Sequence, residues 1–126
     1  MSARSETYEL QAMLERRGIV IPFDDANTLR RAQITLRMWS ERECGTDNGC
    51  IERDEDTGKT YWLTYMTGRR WPIRDLATGA LKRVATVCAE NGLHWYHQGD
   101  PRGCALYVSR DPMDGSNYNN GVACIV

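Results

Sequence analysis

Two strand-like runs, residues 93–98 and 104–109, meet at Gly99-Asp100-Pro101-Arg102-Gly103. Such a pair reads as a β-hairpin. Asp100 can bond its own downstream backbone, Pro101 presets the turn dihedral, and Gly103 supplies the positive φ that closes the loop. Arg102 is left pointing outward. The register stays open, because shortening the link from five residues to four swaps which of Trp95 and Tyr96 shares a face with Leu106.

The rest of the chain must supply partners for this hairpin. Ser5-Glu6-Thr7-Tyr8 opens a short amphipathic helix with Leu10, Met13 and Leu14 on one face, closing at Arg16-Arg17-Gly18. After Ile19-Val20-Ile21-Pro22, Asp24 or Asp25 caps a longer helix on which Leu29, Ala32, Leu36 and Trp39 recur at helical spacing. Its other face carries Arg30, Arg31, Arg37 and Glu41, the pattern of a solvated helix surface. Residues 50–54 and 59–65 flank Glu55-Asp56-Thr57-Gly58 and predict a second hairpin with a polar, edge-exposed first arm. Thr67-Gly68-Arg69-Arg70-Trp71-Pro72 reads as a basic, aromatic loop. Asp75 then caps a helix presenting Leu76, Ala80, Val84, Val87 and Cys88 on one side, stopped by Asn91-Gly92. Gly79 within it serves either close packing against a strand or nothing in particular. Residues 121–126 are too apolar for a loose tail and add a final strand. The implied fold is α+β, an antiparallel sheet of two hairpins and a C-terminal strand with two to three helices packed on one face. Two helix-then-hairpin units are visible, but they share little sequence, so they rhyme in architecture only.

A chain of 126 residues buries a core as one domain, 1–126, with 1–22 an N-terminal helix and connector that could be an appendage. The net charge of −1, from 16 basic and 17 acidic side chains, gives no global field that would draw it to a nucleic-acid backbone or an anionic membrane. No run approaches the roughly 20 apolar residues that span a bilayer, and Met1-Ser2-Ala3-Arg4-Ser5-Glu6 lacks the apolar run of a secretion signal. A cytoplasmic location is expected. Five cysteines is an odd number, and a reducing compartment keeps all five as thiols. None has the close CxxC spacing of a zinc site, so no metal is expected. Cys88, Cys104 and Cys124 lie in apolar runs and read as small buried hydrophobes.

The segments Glu43-Cys44-Gly45, Ile51-Glu52-Arg53-Asp54-Glu55, Thr57-Gly58-Lys59 and Tyr61-Trp62, with Gln98-Gly99-Asp100-Pro101-Arg102-Gly103-Cys104-Ala105-Leu106-Tyr107, resemble a family of small, mostly uncharacterised bacteriophage and prophage proteins. The resemblance covers roughly residues 35–126. It implies a phage-derived protein at work in a bacterial cytoplasm and carries over no catalytic residue.

Three constellations are candidate binding sites. His97, Gln98, Asp100 and Arg102 place an imidazole, an amide, a carboxylate and a guanidinium at one end of the sheet, although turn chemistry alone explains most of them. Arg69, Arg70 and Trp71, near Trp62 and Tyr65, interleave cations with aromatics as phosphate-holding, base-stacking surfaces do; they could equally pair with Asp54 and Glu55. Tyr118, Asn119 and Asn120 could line a pocket or simply reverse the chain. His94 and His97, three apart on a strand, fall on opposite faces and form no paired metal site. No cofactor fingerprint is present. With the resemblance, these features describe a non-enzymatic phage accessory protein of the counter-defence kind, an inhibitor that binds a host defence protein or a small nucleotide signal. Competing readings are a nucleic-acid-binding module using Arg30, Arg31, Arg69 and Arg70, and a small hydrolase or nuclease using His97 and Asp100. Self-association as a homo-oligomer stays open.

Overall fold

A computed structural model describes residues 2–43, 49–53, 57, 59–64, 68, 70–72, 76–100, 103–112 and 122–126. Helix α1, Ala3–Arg16, begins earlier than the sequence suggests: its N-cap is Ser2, not Ser5, and the Ser2 Oγ accepts from the Ser5 N–H at 3.2 Å. Helix α2, Phe23–Glu43, also starts ahead of its expected cap. The Pro22 carbonyl accepts from the Ala26 N–H at 3.0 Å, so Asp24 and Asp25 lie within the first turn, where their charge suits the helix dipole. Helix α3 runs Leu76–Glu90. Residue 75, its expected cap, falls outside the described residues.

Helices α1 and α3 stop by the same device. The Gly18 N–H bonds the Glu15 carbonyl at 2.9 Å and the Ile19 N–H bonds the Leu14 carbonyl at 2.9 Å; Gly92 to Ala89 and Leu93 to Cys88 repeat the pattern at 3.4 and 2.8 Å. These are Schellman motifs, whose C′ residue takes a left-handed φ, here +78° at Gly18 and +67° at Gly92. Each motif turns an apolar residue, Ile19 or Leu93, back onto the helix it ends, and both are buried.

The six strands are β1 Gly49–Arg53, β2 Thr60–Thr64, β3 Arg70–Pro72, β4 His94–Asp100, β5 Gly103–Ser109 and β6 Ala123–Ile125. All neighbours pair antiparallel in the order β3-β2-β1-β4-β5-β6. The expected α+β architecture is therefore present, with one strand more than the sequence reading. Arg70–Pro72, expected as loop, is β3, paired with β2 through Leu63↔Arg70, Trp62↔Trp71 and Tyr61↔Pro72. Without it the outer edge of β2 would present unpaired backbone groups, and a proline is tolerated there because β3 is itself an edge strand. The hairpin β4–β5 pairs out to Asp100↔Gly103. Gly99, Asp100 and Gly103, expected in the link, thus belong to the ladder, and the link shrinks to residues 101–102.

The element order gains a regularity from β3. Each half is a helix followed by a three-stranded meander, and the two first strands, β1 and β4, lie side by side at the centre of the sheet.

The helices pack on one side of the sheet, α2 over β5 and α3 over β4. Leu29, Ala32 and Leu36 of α2 and Ala80 and Val84 of α3 are fully buried against Leu106 and Val108. Leu10, Leu14, Ile19 and Ile21 join the same cluster. Polar bonds close the seams: the Asn91 amide donates to Asp25 at 3.0 Å, the Gln11 amide to the Ile21 carbonyl at 2.9 Å, and Arg110 Nε to the Gly18 carbonyl at 2.7 Å.

Gly79 does not make the close helix–strand approach that a glycine there could serve. The nearest atom to a Cβ built on it is the tip of Arg83, at 3.4 Å. Gly79→Ala should therefore raise stability by about 0.5–1 kcal/mol, from helix propensity and a less flexible unfolded chain. A urea midpoint that falls on this substitution would show that a neighbour does need the space.

Candidate functional site

Side chains alternate along a strand, so the registers sort the sheet into two faces. Trp95 and His97 of β4 lie opposite Val108 and Leu106, which lie opposite Ala123 and Ile125; this set faces the helices. The complementary set holds His94, Tyr96 and Gln98 of β4, Tyr107 of β5 and Cys124 of β6, and through Cys50↔Gln98 it continues into Glu52, Tyr61, Leu63 and Arg70. Among the described residues no helix packs on this second face.

Among the described residues three tyrosines stand on it. Tyr96 and Tyr107 are directly opposed, ring centroids 6.5 Å apart and planes tilted by 30°. Both are half-buried, as is Tyr61. The Arg70 guanidinium lies over the Tyr61 ring, 5.4 Å from its centroid, and forms an ion pair with Glu52. A guanidinium over an aromatic face is held by the ring quadrupole, while the half-exposed ion pair adds little stability. The pair does leave the face with no unbalanced charge of its own between Arg70 and Glu52. Tyrosine supplies a large amphipathic contact area at small entropic cost, because only two torsions are fixed on binding.

The sequence candidates separate onto different parts of this frame. His97 is not on the hairpin lip: it lies opposite Leu106 and is 1 % exposed. Burial there lowers its pKa to about 4, so it is neutral near pH 7 and inaccessible as a surface base. Gln98 lies on the helix-free face, and Asp100 ends the ladder opposite Gly103. Arg70 and Trp71 occupy adjacent ladder positions in β3, and Arg70 belongs to the face that holds Tyr61. Arg69, Arg102, Tyr118, Asn119 and Asn120 lie outside the described residues. Sequence reasoning passed over Tyr96 and Tyr107. Their signal was present as one tyrosine on each arm of the predicted hairpin, but only the register puts them side by side.

The cysteines divide similarly. Cys88 is a buried free thiol whose pKa is pushed up to about 12 by desolvation, which makes it unreactive. Cys124, expected in the core, is an exposed free thiol instead: Ala123 and Ile125 take the inward positions of β6 and leave it on the tyrosine face opposite Tyr107. Cys44 lies outside the described residues, and no more than the strand positions of Cys50 and Cys104 is described. Among the described residues no His, Cys, Asp and Glu group has metal-binding proximity, and no helix is long and apolar enough to cross a membrane. In comparisons with protein-family models, with curated proteins and with solved structures, nothing matches the chain.

Proposed function

We propose that the protein is a non-enzymatic accessory protein of phage origin that binds a host protein and neutralises it, and that the tyrosine face of the sheet is the binding surface. The phage origin rests on the sequence resemblance alone. The observation that carries the binding surface is the grouping of Tyr61, Tyr96 and Tyr107 with Arg70 on a face no described helix covers. Tyrosine and arginine dominate the energetics of protein interfaces. Because Glu52 counters Arg70, the face suits a protein surface of mixed polarity better than a polyphosphate. The hydrolase reading loses its base, since His97 is sealed in the core.

The test compares capture of a host-lysate protein by the parent chain, by a Tyr96→Ala/Tyr107→Ala double variant, and by Met38→Ala on the exposed helical side. Loss of two hot-spot tyrosines should weaken capture at least about tenfold, whereas Met38→Ala should leave it unchanged. Equal capture by the tyrosine variant at equal stability would remove this surface from consideration. Captured material that is nucleic acid and is released steeply by salt would favour base stacking over Tyr61 and Arg70 instead.

A further inference from the structure

The opposite side of the molecule carries a groove that the sheet-face reading does not use. Its volume is about 530 Å³, within the range of small-molecule sites. On α2 it is lined by Asn27, Thr28, Arg31 and Thr35, which the helical period places on one stripe, flanked by Arg30; Arg83 of α3 closes the other wall. Among the described residues the lining contains three arginines and no carboxylate.

The three guanidinium groups differ in their commitments. Arg30 is held in place: its Nε donates to the Thr7 hydroxyl at 3.0 Å, one terminal nitrogen donates to the Asn27 side-chain oxygen at 2.9 Å, and the other lies 3.5 Å from Glu6. Its charge is countered in part by Glu6, whose carboxylate is not among the groove's lining residues. Arg31 and Arg83 are exposed and, among the described residues, form no ion pair. The Asn27 oxygen is taken by Thr7 and Arg30, which leaves its amide N–H groups as donors. Thr28 and Thr35 spend their hydroxyl protons on the Asp24 and Arg31 carbonyls, so they shape the groove without adding donors. An anion with several oxygens is what such a set recognises, since guanidinium forks match phosphate geometry.

We infer that the groove between α2 and α3 is a binding site for a phosphate-bearing small molecule, held chiefly by Arg31 and Arg83 over a guanidinium platform at Arg30. The site is separate from the tyrosine face, so each reading can fail alone. The intact protein is titrated with inorganic pyrophosphate, ADP and adenosine at constant ionic strength, following the thermal midpoint and the backbone amide shifts of Asn27, Thr28 and Arg31. Pyrophosphate and ADP should bind saturably and raise the midpoint by mass action, and adenosine should do neither. Tighter binding of ADP than of pyrophosphate would identify a nucleotide as the ligand class, and equal binding the phosphate groups alone. Arg31→Gln and Arg83→Gln should each weaken binding about tenfold or more. Lys82→Gln, exposed on the same helix but outside the lining, serves as a charge-matched control and should leave binding unchanged. The inference is overturned if neither anion binds, if adenosine binds as well as ADP, if Arg31→Gln and Arg83→Gln both bind like the parent, or if Lys82→Gln weakens binding as much as the arginine variants do.

Discussion

Leu106→Ala is expected to cost about 2–5 kcal/mol, the range for emptying a buried leucine site. A domain's whole stability is only about 5–15 kcal/mol, so the variant should lie near its unfolding threshold at 37 °C. Leu106 is fully buried at the centre of the helix-facing layer, flanked by His97 on β4 and Ile125 on β6, with α2 packed above it. Hydrogen-bonded ladders on both sides of β5 keep the backbone from collapsing into the vacated space, which places the expected cost toward the upper end of that range. Tyr107 is the next residue along the same strand, yet it faces the other way. Tyr107→Ala should cost less stability while weakening capture of the partner, so two adjacent positions separate folding from binding. Urea unfolding with unchanged slope is the appropriate measurement. A loss below about 1 kcal/mol for Leu106→Ala would contradict the placement of this residue beneath α2.

Acidification should reveal His97. Its folded-state pKa is lowered from the ordinary 6.5 to about 4 by burial, so the unfolded chain takes up a proton on this residue at a higher pH than the folded protein does. The unfolded state therefore binds more protons across that window, and stability falls as the pH drops from about 6.5 toward 4. At about 1.4 kcal/mol per pH unit, the contribution amounts to about 3 kcal/mol by pH 4. Other groups titrate in the same range, so the diagnostic quantity is the difference in pH dependence between the parent protein and His97→Gln. Above pH 7 the two stability curves should run parallel; below pH 6.5 the parent curve should descend more steeply. A nuclear magnetic resonance titration placing His97 near 6.5 in the folded protein would defeat the expectation.

The helices were largely legible because their cores recur at helical spacing: Leu29, Ala32, Leu36 and Trp39 on α2, and Ala80, Val84, Val87 and Cys88 on α3, are all buried as the spacing predicts. The stops at Gly18 and Gly92 were legible too, since a left-handed residue after a helix is nearly a glycine signature. Boundaries were less so. Ser2 was passed over as a cap because Ser5 offered the same chemistry three residues later, and the real cap uses both, one as acceptor and one as donor. Strand β3 was missed because three residues are too few to display a period of two, and their strand character comes from the open edge of β2.

What the amino-acid sequence determined alone is the set of elements and their kind: three helices with apolar stripes, two hairpins with turn chemistry, a terminal strand, and hence an α+β sheet. What the tertiary structure decided is which way those strands face. In His94-Trp95-Tyr96-His97-Gln98 both alternating sets mix rings with polar groups, so neither is plainly the inner one, and a slip of one residue would exchange them without violating any local rule. Pairing of Leu106 with His97, and packing of Leu106 and Val108 under the helices, resolves that degeneracy. The same choice buries a histidine and places two half-buried tyrosines on the opposite face. The proposed binding surface is thus a consequence of register, a long-range property that depends on how much apolar area each alternative would bury against α2 and α3, and no window of local sequence contains that comparison.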